Sequence, residues 1–228
     1  MNPREAVGSV EAELAAAGVP DARVDAELLV AHVIGSSRSG VYAADGSVDE
    51  ARLRPLVERR VHREPLAYVL GEWGFRRLVL RIDRRALVPR PETEIVVERC
   101  LALLEPLSAP RVLDVGVGSG AIALAIADEA PHAQVTGVDT SPEALALARE
   151  NAERLGLAVV LREGGFEAAA EGWDLVVANP PYVGPDEIAQ LEPEVRDWEP
   201  RGALVGEGLH EQLARTARTA WLVLEVAP

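Results

Sequence analysis

From Arg111 onward, short apolar segments alternate with longer segments whose apolar residues recur at helical spacing. The apolar segments read RVLDVG, QVTGVD, AVVLRE and WDLVVAN, and two of the segments between them read AIALAIADEA and SPEALALARENAERLG. Such alternation is typical of βαβ units, in which each helix returns the chain so that the strands run parallel. The pattern therefore predicts an α/β domain whose mostly parallel sheet has helices on both faces.

The N-terminal part of the chain has helical periodicity instead. One segment ends near Gly18, a second follows Asp21, and a third runs from about Asp49 to Arg63. Pro55 is expected to start or kink the third helix, because proline has no N–H to donate within a helix. A small helical bundle is predicted.

A strand-like alternation separates these two parts. Leu78, Leu80 and Ile82 occur at every second position, and the stretch from Gly71 to Gly74 supplies turn residues, so a β-hairpin is predicted. The expected organisation is a helical domain over residues 1–70, a hairpin linker over 71–90 and the α/β domain over 91–228.

Composition and charge exclude several classes of protein. The chain has 23 basic and 37 acidic residues, a net charge of −14, which argues against sequence-independent binding of nucleic acid because such binding neutralises phosphates. No apolar run approaches the roughly 18 residues that span a bilayer, and the start lacks the features of a signal peptide. The single Cys100 excludes an internal disulfide, and the four histidines form no ligand cluster. We expect a cytoplasmic, monomeric protein that binds neither membrane nor metal.

A glycine-rich turn lies between the first predicted strand and its helix, in LDVGVGSGAIALAIA. Gly116, Gly118 and Gly120 would let the backbone approach a ligand closely, and the free N–H groups of a helix N-terminus follow them. The spacing is G-x-G-x-G rather than the G-x-G-x-x-G of dinucleotide sites. Asp114, two residues before the first glycine, suits a cationic ammonium or sulfonium better than a pyrophosphate.

A second acidic residue, Asp139, ends the next predicted strand. A carboxylate at this position can accept both hydroxyls of a ribose. The alternative is that Asp139 only caps the helix that opens at Ser141 and Pro142. Because the glycine turn, its carboxylate and Asp139 occur in this order, we favour S-adenosylmethionine over NAD as the cofactor.

The rigid polar segment NPPY follows the fourth predicted strand. Asn179 offers a side-chain carbonyl, Pro180 a backbone carbonyl and Tyr182 a flat ring. Two such acceptors would hold the hydrogens of a planar NH₂ group and orient its nitrogen toward a methyl donor. The alternative is a proline-rich turn that only ends the strand.

Six segments resemble the bacterial protein-(glutamine-N5) methyltransferases that modify class-one peptide chain release factors. They read REPLAYVLGEWGF, LVPRPETE, LDVGVGSGAIALA, GVDTSPEALALARENAERLGL, WDLVVANPPYV and EVRDWEPRGALVGEGL, and they span most of the chain in the family's order. The resemblance implies a Rossmann-like class I methyltransferase domain that methylates the glutamine of the release factor's Gly-Gly-Gln loop and so supports translation termination. It also implies that the N-terminal helices dock the release factor.

The resemblance assigns roles to individual residues. The cofactor would be held by Gly116, Val117, Gly118, Ser119, Gly120, Asp139, Phe166 and Asn179. The glutamine would be held by Asn179, Pro180, Pro181, Tyr182 and Arg90, with Asn179, Pro180 and Tyr182 as the catalytic residues. Arg90 either contacts the substrate backbone or pairs with Glu92 or Glu94. Arg59, Arg60 and Arg63 form either a patch for an acidic or RNA-bound partner or a solvated helix face.

Two departures from the family pattern stand out. Gly165 occupies the position of an acidic residue just before Phe166, which implies a weaker contact with the adenine amine. The sequence ends at WLVLEVAP, where the family continues with a helix and an antiparallel strand pair. We therefore expect a truncated chain in which Trp221 to Val226 forms an exposed apolar edge strand.

Two other functions fit parts of the sequence. An N6-adenine methyltransferase of DNA or RNA would use the same acceptors on a flipped base, although the net charge and the lack of a basic recognition domain argue against it. A non-catalytic relative that binds the release factor without turnover would follow from the missing C-terminal elements.

Overall fold

The computed structural model describes residues 1–226. Its helices are α1 Pro3–Ala16, α2 Ala22–Ile34, α3 Glu50–Val61, α4 Leu66–Leu70, α5 Thr93–Leu104, α6 Ala121–Glu129, α7 Pro142–Leu155, α8 Pro193–Trp198, α9 Arg201–Leu204 and α10 Leu209–Thr216. Its strands are β1 Glu72–Phe75, β2 Leu78–Arg81, β3 Arg111–Val115, β4 Gln134–Asp139, β5 Val160–Glu163, β6 Trp173–Ala178 and β7 Thr219–Leu224. These elements form two compact units, one of residues 1–71 with 193–198 and one of residues 72–192 with the chain from residue 199 onward. Within residues 1–226, no helix is long and apolar enough to cross a bilayer.

The first unit consists of helices α1 to α4 together with α8. Its three predicted helices are present, but α3 runs unbroken from Glu50 to Val61 with Pro55 inside it, so the expected start at Pro55 is wrong. The helix begins after Asp49, whose carboxylate accepts hydrogen bonds from the N–H groups of Ala51 and Arg52 at 3.0 and 3.2 Å. The cap stabilises the start of the helix, and the buried side chains on both sides of Pro55 stabilise the rest of it despite the hydrogen bond that Pro55 removes.

The arginines of α3 and the turn after it are paired within the first unit. Arg60 is only 5% exposed, and its guanidinium lies 2.7 Å from Asp25 and 2.8 Å from Glu194 of α8. Arg63 lies 2.6 Å from the same Glu194, and Arg59 pairs with a glutamate of its own unit. Both interpretations drawn from the sequence, a partner-binding patch and a solvated face, are wrong for Arg60. These pairs hold α8 on the helical unit.

The second unit begins with β1 and β2, which form the predicted hairpin. The antiparallel register places its turn at Arg76–Arg77, so the expectation that Gly71 to Gly74 forms the turn is wrong. Arg76 has a φ of 51°, which few non-glycine residues adopt. Its N–H donates to Glu94 at 3.0 Å and its guanidinium pairs with Glu129, and these contacts stabilise the turn without a glycine.

Strands β3 to β7 form one parallel sheet in the order β5-β4-β3-β6-β7. The predicted α/β class with a mostly parallel sheet is confirmed. The chain proceeds from β3 outward to β5 and then returns to β6 and β7 on the other side, so the strand order reverses beside β3. Open α/β sheets bind ligands at the carboxyl edge next to such a reversal. At the far edge lies β7, where Trp221 is half exposed.

Asn151 on α7 connects the hairpin to the loop after β3. Its side chain is fully buried. Its Nδ2 donates to the carbonyl oxygens of Arg81 and Ser119 at 3.0 and 2.9 Å, and its Oδ1 accepts from the Arg81 N–H at 2.7 Å. Because a buried amide is costly to leave unpaired, these three bonds hold the glycine loop and strand β2 in fixed relative positions.

Candidate active site

The loops that follow β3, β4, β5 and β6 surround one cavity of about 490 Å³ at the carboxyl edge of the sheet. This volume falls within the range of about 300–1,000 Å³ that is usual for small-molecule sites. The cavity is lined by most residues proposed from the sequence: Arg90, Gly116, Val117, Gly118, Ser119, Asp139, Phe166, Asn179, Pro180 and Pro181. The structure thus brings together side chains that are separated by up to 91 positions in the sequence.

The glycine loop exposes its backbone to the cavity. Gly116, Gly118 and Gly120 have φ values of 77°, 55° and 90°, a region that side chains other than glycine rarely adopt. The N–H groups of Gly116 and Val117 both donate to the Val138 carbonyl at 2.9 Å, which fastens the loop to β4. A Cβ added to Gly116 would meet no atom within 4 Å, so open space lies beside this backbone. Gly120 does not line the cavity but begins α6.

Asp139 joins the ends of two loops through its carboxylate. Its Oδ2 accepts from the Gly118 N–H and its Oδ1 from the Ser141 N–H, both at 2.9 Å. The cap of α7 is Ser141, whose hydroxyl accepts from the Ala144 N–H at 3.1 Å, so Asp139 is not the helix cap. Each carboxylate oxygen has a second acceptor position. The carboxylate can therefore also accept two hydroxyls of a ligand in the cavity.

Asp114 lies beneath the glycine loop and does not line the cavity. It is 1% exposed, its Oδ2 accepts from the Ala123 N–H at 3.0 Å, and its Oδ1 has no partner among residues 1–226. Burial raises the pKa of Asp114 to about 7, and the negative charge of Asp139 acts in the same direction, whereas the bond from Ala123 opposes them. In this arrangement Asp114 holds the start of α6. Because Asp114 does not line the cavity, its side chain is not placed for the direct contact with a cationic ligand that the sequence predicts.

The elevated pKa of Asp114 predicts a pH-dependent stability. The carboxyl ionises near its ordinary pKa of 3.8 in the unfolded chain and near 7 in the folded one, so the folded state loses stability as the pH rises from about 4 to 7. Asp114→Asn keeps an oxygen that can accept from Ala123 and has no charge to desolvate. Relative to wild type, its free energy of unfolding in urea should increase by roughly 3 kcal/mol between about pH 4.5 and pH 8. If the free energy of unfolding changed with pH in the same way for the two proteins, this account of Asp114 would be wrong.

Asn179 follows β6 directly, beside the glycine loop that follows β3. Its Nδ2 donates to the hydroxyl of Thr93 at 3.5 Å. Among residues 1–226, no donor lies within hydrogen-bonding distance of the Asn179 Oδ1 or of the Pro180 carbonyl. Both residues line the cavity. Asn179 and Pro180 therefore keep two oxygen acceptors that no other group within residues 1–226 uses.

A later segment of the chain supports the two prolines. The Val183 N–H donates to the Leu204 carbonyl at 3.0 Å, and the Gly206 N–H donates back to the Val183 carbonyl at 3.2 Å. A Cβ at Gly206 would lie 2.6 Å from the Pro181 carbonyl oxygen, so only glycine allows this close approach. Sequence reasoning did not identify Gly206, although the GEG spacing in this segment was a signal for a tight backbone contact.

Tyr182 is, with Gly120, one of two proposed site residues that do not line the main cavity. It is 45% exposed and does not line the main cavity. It borders a second, shallower depression together with Pro185, Glu187 and His210. Tyr182 is therefore not part of the wall that contains Asn179 and Pro180.

Arg90 is held by a carboxylate that is distant in the sequence. Its Nη2 donates to both oxygens of Glu199 at 2.9 Å, and the Glu199 side chain is only 1% exposed. Burial raises the pKa of Glu199, while the positive charge of Arg90 lowers it. Arg90 therefore pairs with Glu199 and not with Glu92 or Glu94, and it faces the cavity from the loop before α5.

Gly165 and Phe166 follow β5 and both line the cavity. Phe166 packs against the apolar side chains around β3, β4 and β6, so its ring is fixed. The Gly165 N–H donates to the Glu167 carboxylate at 2.7 Å, and a Cβ at position 165 would lie 2.9 Å from that carboxylate. An acidic charge is thus present near position 165 although residue 165 itself is glycine. Within residues 1–226, no three His, Cys, Asp or Glu side chains are grouped to hold a metal ion.

Two family models match the chain. The "PrmC N-terminal domain" matches residues 5–71 and the "Methyltransferase small domain" matches residues 95–191. A release factor glutamine methyltransferase of Geobacter sulfurreducens is 46% identical over 85% of this chain and 69% of its own length. One of Deinococcus radiodurans is 45% identical over 86% of this chain and 72% of its own length. The chain belongs to the release factor glutamine methyltransferase family.

Membership in the release factor glutamine methyltransferase family confirms the resemblance drawn from the six sequence segments. Similarity to solved structures is lower. The Pyrococcus abyssi tRNA (uracil-54, C5)-methyltransferase, solved with S-adenosyl-L-homocysteine, is 20% identical over 54% of this chain and 31% of that chain, with a TM-score of 0.41. The family match rests on the sequence relatives, and the parallel sheet and its cavity agree with a methyltransferase domain.

Proposed function

We propose that this chain transfers a methyl group from S-adenosylmethionine to the side-chain amide nitrogen of the glutamine in the Gly-Gly-Gln loop of a class-one release factor. The observation that carries the proposal is that Asn179 and Pro180 line the cavity, while the Asn179 Oδ1 and the Pro180 carbonyl accept no hydrogen bond from residues 1–226. A primary amide has two N–H groups that match two such acceptors. The family's name supports the glutamine of a release factor as the source of that amide.

The other side of the cavity fits the cofactor. Asp139 offers acceptors for the two ribose hydroxyls, Phe166 offers a fixed aromatic face for the adenine, and the backbone of Gly116 is open to close approach. When bound, S-adenosylmethionine supplies a methyl group that its sulfonium charge activates. Three features of the cavity fit the cofactor: an acidic side chain at a strand end, a glycine backbone that a ligand can approach closely, and an apolar wall.

The residues around the glutamine supply orientation and electrostatics instead of a strong base. An amide nitrogen is a weak nucleophile because its lone pair is delocalised into the carbonyl. Acceptors on both N–H groups would align the nitrogen and raise its electron density. Pro180 and Pro181 have fixed φ angles and no N–H groups, so neither competes for the two oxygens. Arg90 lines the cavity and is held by Glu199, which supports a contact between Arg90 and the backbone of the substrate loop.

The alternatives explain fewer of the observations. An N6-adenine methyltransferase would use the same two oxygens, but the net charge of −14 opposes binding of a phosphate backbone. A non-catalytic relative could bind the same amide without turnover, and an assay of methyl transfer distinguishes it from the enzyme. Methylation of a release factor glutamine is therefore the function that the site supports best.

We assign the steps of this function to separate parts of the chain. Residues 1–70 dock the release factor, residues 71–90 link the two parts, and residues 91–228 bind the cofactor and carry out the transfer. The match of residues 5–71 to the PrmC N-terminal domain model is separate from the methyltransferase match at residues 95–191, which supports a separate role for this part of the chain. Because release factors act on ribosomes, the reaction would take place in the cytoplasm.

Incubating the chain with a class-one release factor and methyl-labelled S-adenosylmethionine tests the proposal. Mass spectrometry of the Gly-Gly-Gln peptide should find one added methyl group on the glutamine side chain. A release factor whose glutamine is replaced by asparagine serves as the matched negative substrate. Label that enters duplex DNA, and not the release factor, would favour the adenine methyltransferase instead.

A further inference from the structure

Thr93 is the only side chain among residues 1–226 that hydrogen-bonds the amide of Asn179. It is the first residue of α5 and is 4% exposed, yet it forms part of the cavity wall. Its N–H donates to the Arg90 carbonyl at 3.1 Å. The hydroxyl is therefore fixed on a buried backbone, on a β-branched side chain with few rotamers.

The orientation of the Asn179 amide matters because its two ends have opposite chemistry. Only Oδ1 can accept a substrate N–H, and rotation by 180° would place the Nδ2 donor there instead. The terminal torsion of asparagine is soft and does not select one orientation by itself. When a substrate amide donates to Oδ1, Nδ2 needs an acceptor on its other side. The Thr93 Oγ1 lies 3.5 Å from Nδ2 and can be that acceptor.

We propose that Thr93 is a positioning residue that holds the Asn179 amide with its oxygen toward the substrate. The inference rests on the proposed function, since it assumes that Asn179 grips a planar NH₂ group. Thr93 itself would touch neither the transferred methyl nor the substrate nitrogen. It acts by keeping the Asn179 amide plane fixed, and this contact is expected to shorten when substrate is bound.

Thr93→Val and Thr93→Ser separate the hydroxyl from the packing of the side chain. Valine keeps the shape and removes the oxygen, whereas serine keeps the oxygen. With the release factor as substrate, we expect Thr93→Val to lower kcat about three- to tenfold with little change in KM, as for the loss of one neutral hydrogen bond. Thr93→Ser should retain most of the wild-type kcat. Thr93→Ala replaces valine if that variant does not fold.

A second measurement needs no substrate. The side-chain NH₂ of Asn179 can be followed by ¹⁵N NMR in the free protein and assigned by its loss in Asn179→Ala. Its hydrogens should exchange with water several-fold faster in Thr93→Val than in wild type or Thr93→Ser, because Nδ2 has lost its acceptor.

The outcomes separate the two proposals. If wild type forms no methylglutamine, the proposed function fails, and the exchange rates still report whether Thr93 holds the amide. Equal exchange rates in all variants would overturn the positioning role. So would a kcat for Thr93→Ser as low as that of Thr93→Val, since that result would show that keeping the hydroxyl does not preserve activity.

Discussion

Asn179→Ala is expected to lower methyl transfer to the release factor by about 10²–10³-fold, the usual effect of removing one group that stabilises a transition state electrostatically. The alanine variant loses the Oδ1 acceptor and leaves the Pro180 carbonyl alone to align the substrate nitrogen. Because Oδ1 is proposed to act mainly in the transition state, kcat should fall much more than substrate KM rises. Steady-state kinetics with labelled cofactor measure both.

Two controls accompany the Asn179→Ala result. The cofactor Kd, measured by calorimetry, should stay within about threefold of wild type if Asn179 acts chiefly on the substrate. Asn179→Asp keeps an oxygen acceptor in the same place and should retain more activity than alanine. Turnover of Asn179→Ala near the wild-type rate would remove the basis for the amide-gripping role.

Asp139→Ala should raise the Kd for S-adenosylmethionine by about 10²-fold, since hydrogen bonds to a charged group contribute about 1.5–3 kcal/mol each. The substitution removes the acceptors proposed for the ribose hydroxyls. It also frees the N–H groups of Gly118 and Ser141, which the carboxylate holds at 2.9 Å. The glycine loop should therefore become less ordered as well. Calorimetric titration with the cofactor measures the change directly.

Asp174 provides a matched control for Asp139. Its Oδ2 accepts from the Arg111 N–H at 2.7 Å, at the amino ends of β3 and β6 and so at the opposite edge of the sheet. Asp174→Ala likewise removes a carboxylate that binds backbone, but it should leave the cofactor Kd within about twofold of wild type. An unchanged cofactor Kd in Asp139→Ala would mean that Asp139 joins two loops and does not bind the cofactor.

Sequence patterns predict those cavity residues that lie at the end of a strand or directly after it. Gly116 and Asn179 each follow an apolar strand directly and Asp139 ends one, and parallel strands place all such positions at one edge. The same rule does not determine which cavity a residue further along a loop will line. Tyr182 lies only three residues after Asn179, yet its ring faces a different depression.

Long-range pairings could not be predicted from any local pattern. Arg90 has acidic neighbours in sequence at Glu92 and Glu94, but its partner is Glu199, 109 positions away. Arg60 is one of several arginines on α3, and nothing in its spacing indicates that it is buried between Asp25 and a distant helix. A buried charge is stable only where folding brings a counter-charge to it, and its location depends on the whole chain.

The amino-acid sequence alone determined the class of the α/β domain, the glycine loop, the acidic residue that ends β4 and the NPPY segment after β6, because hydrophobic period, backbone permissiveness and strand-end position are local properties. The tertiary structure decided which groups face one another: Thr93 against Asn179, Glu199 against Arg90, and Gly206 beneath Pro181. Such contacts depend on distances between segments far apart in the chain. Those distances are set only when the sheet and its loops are packed together.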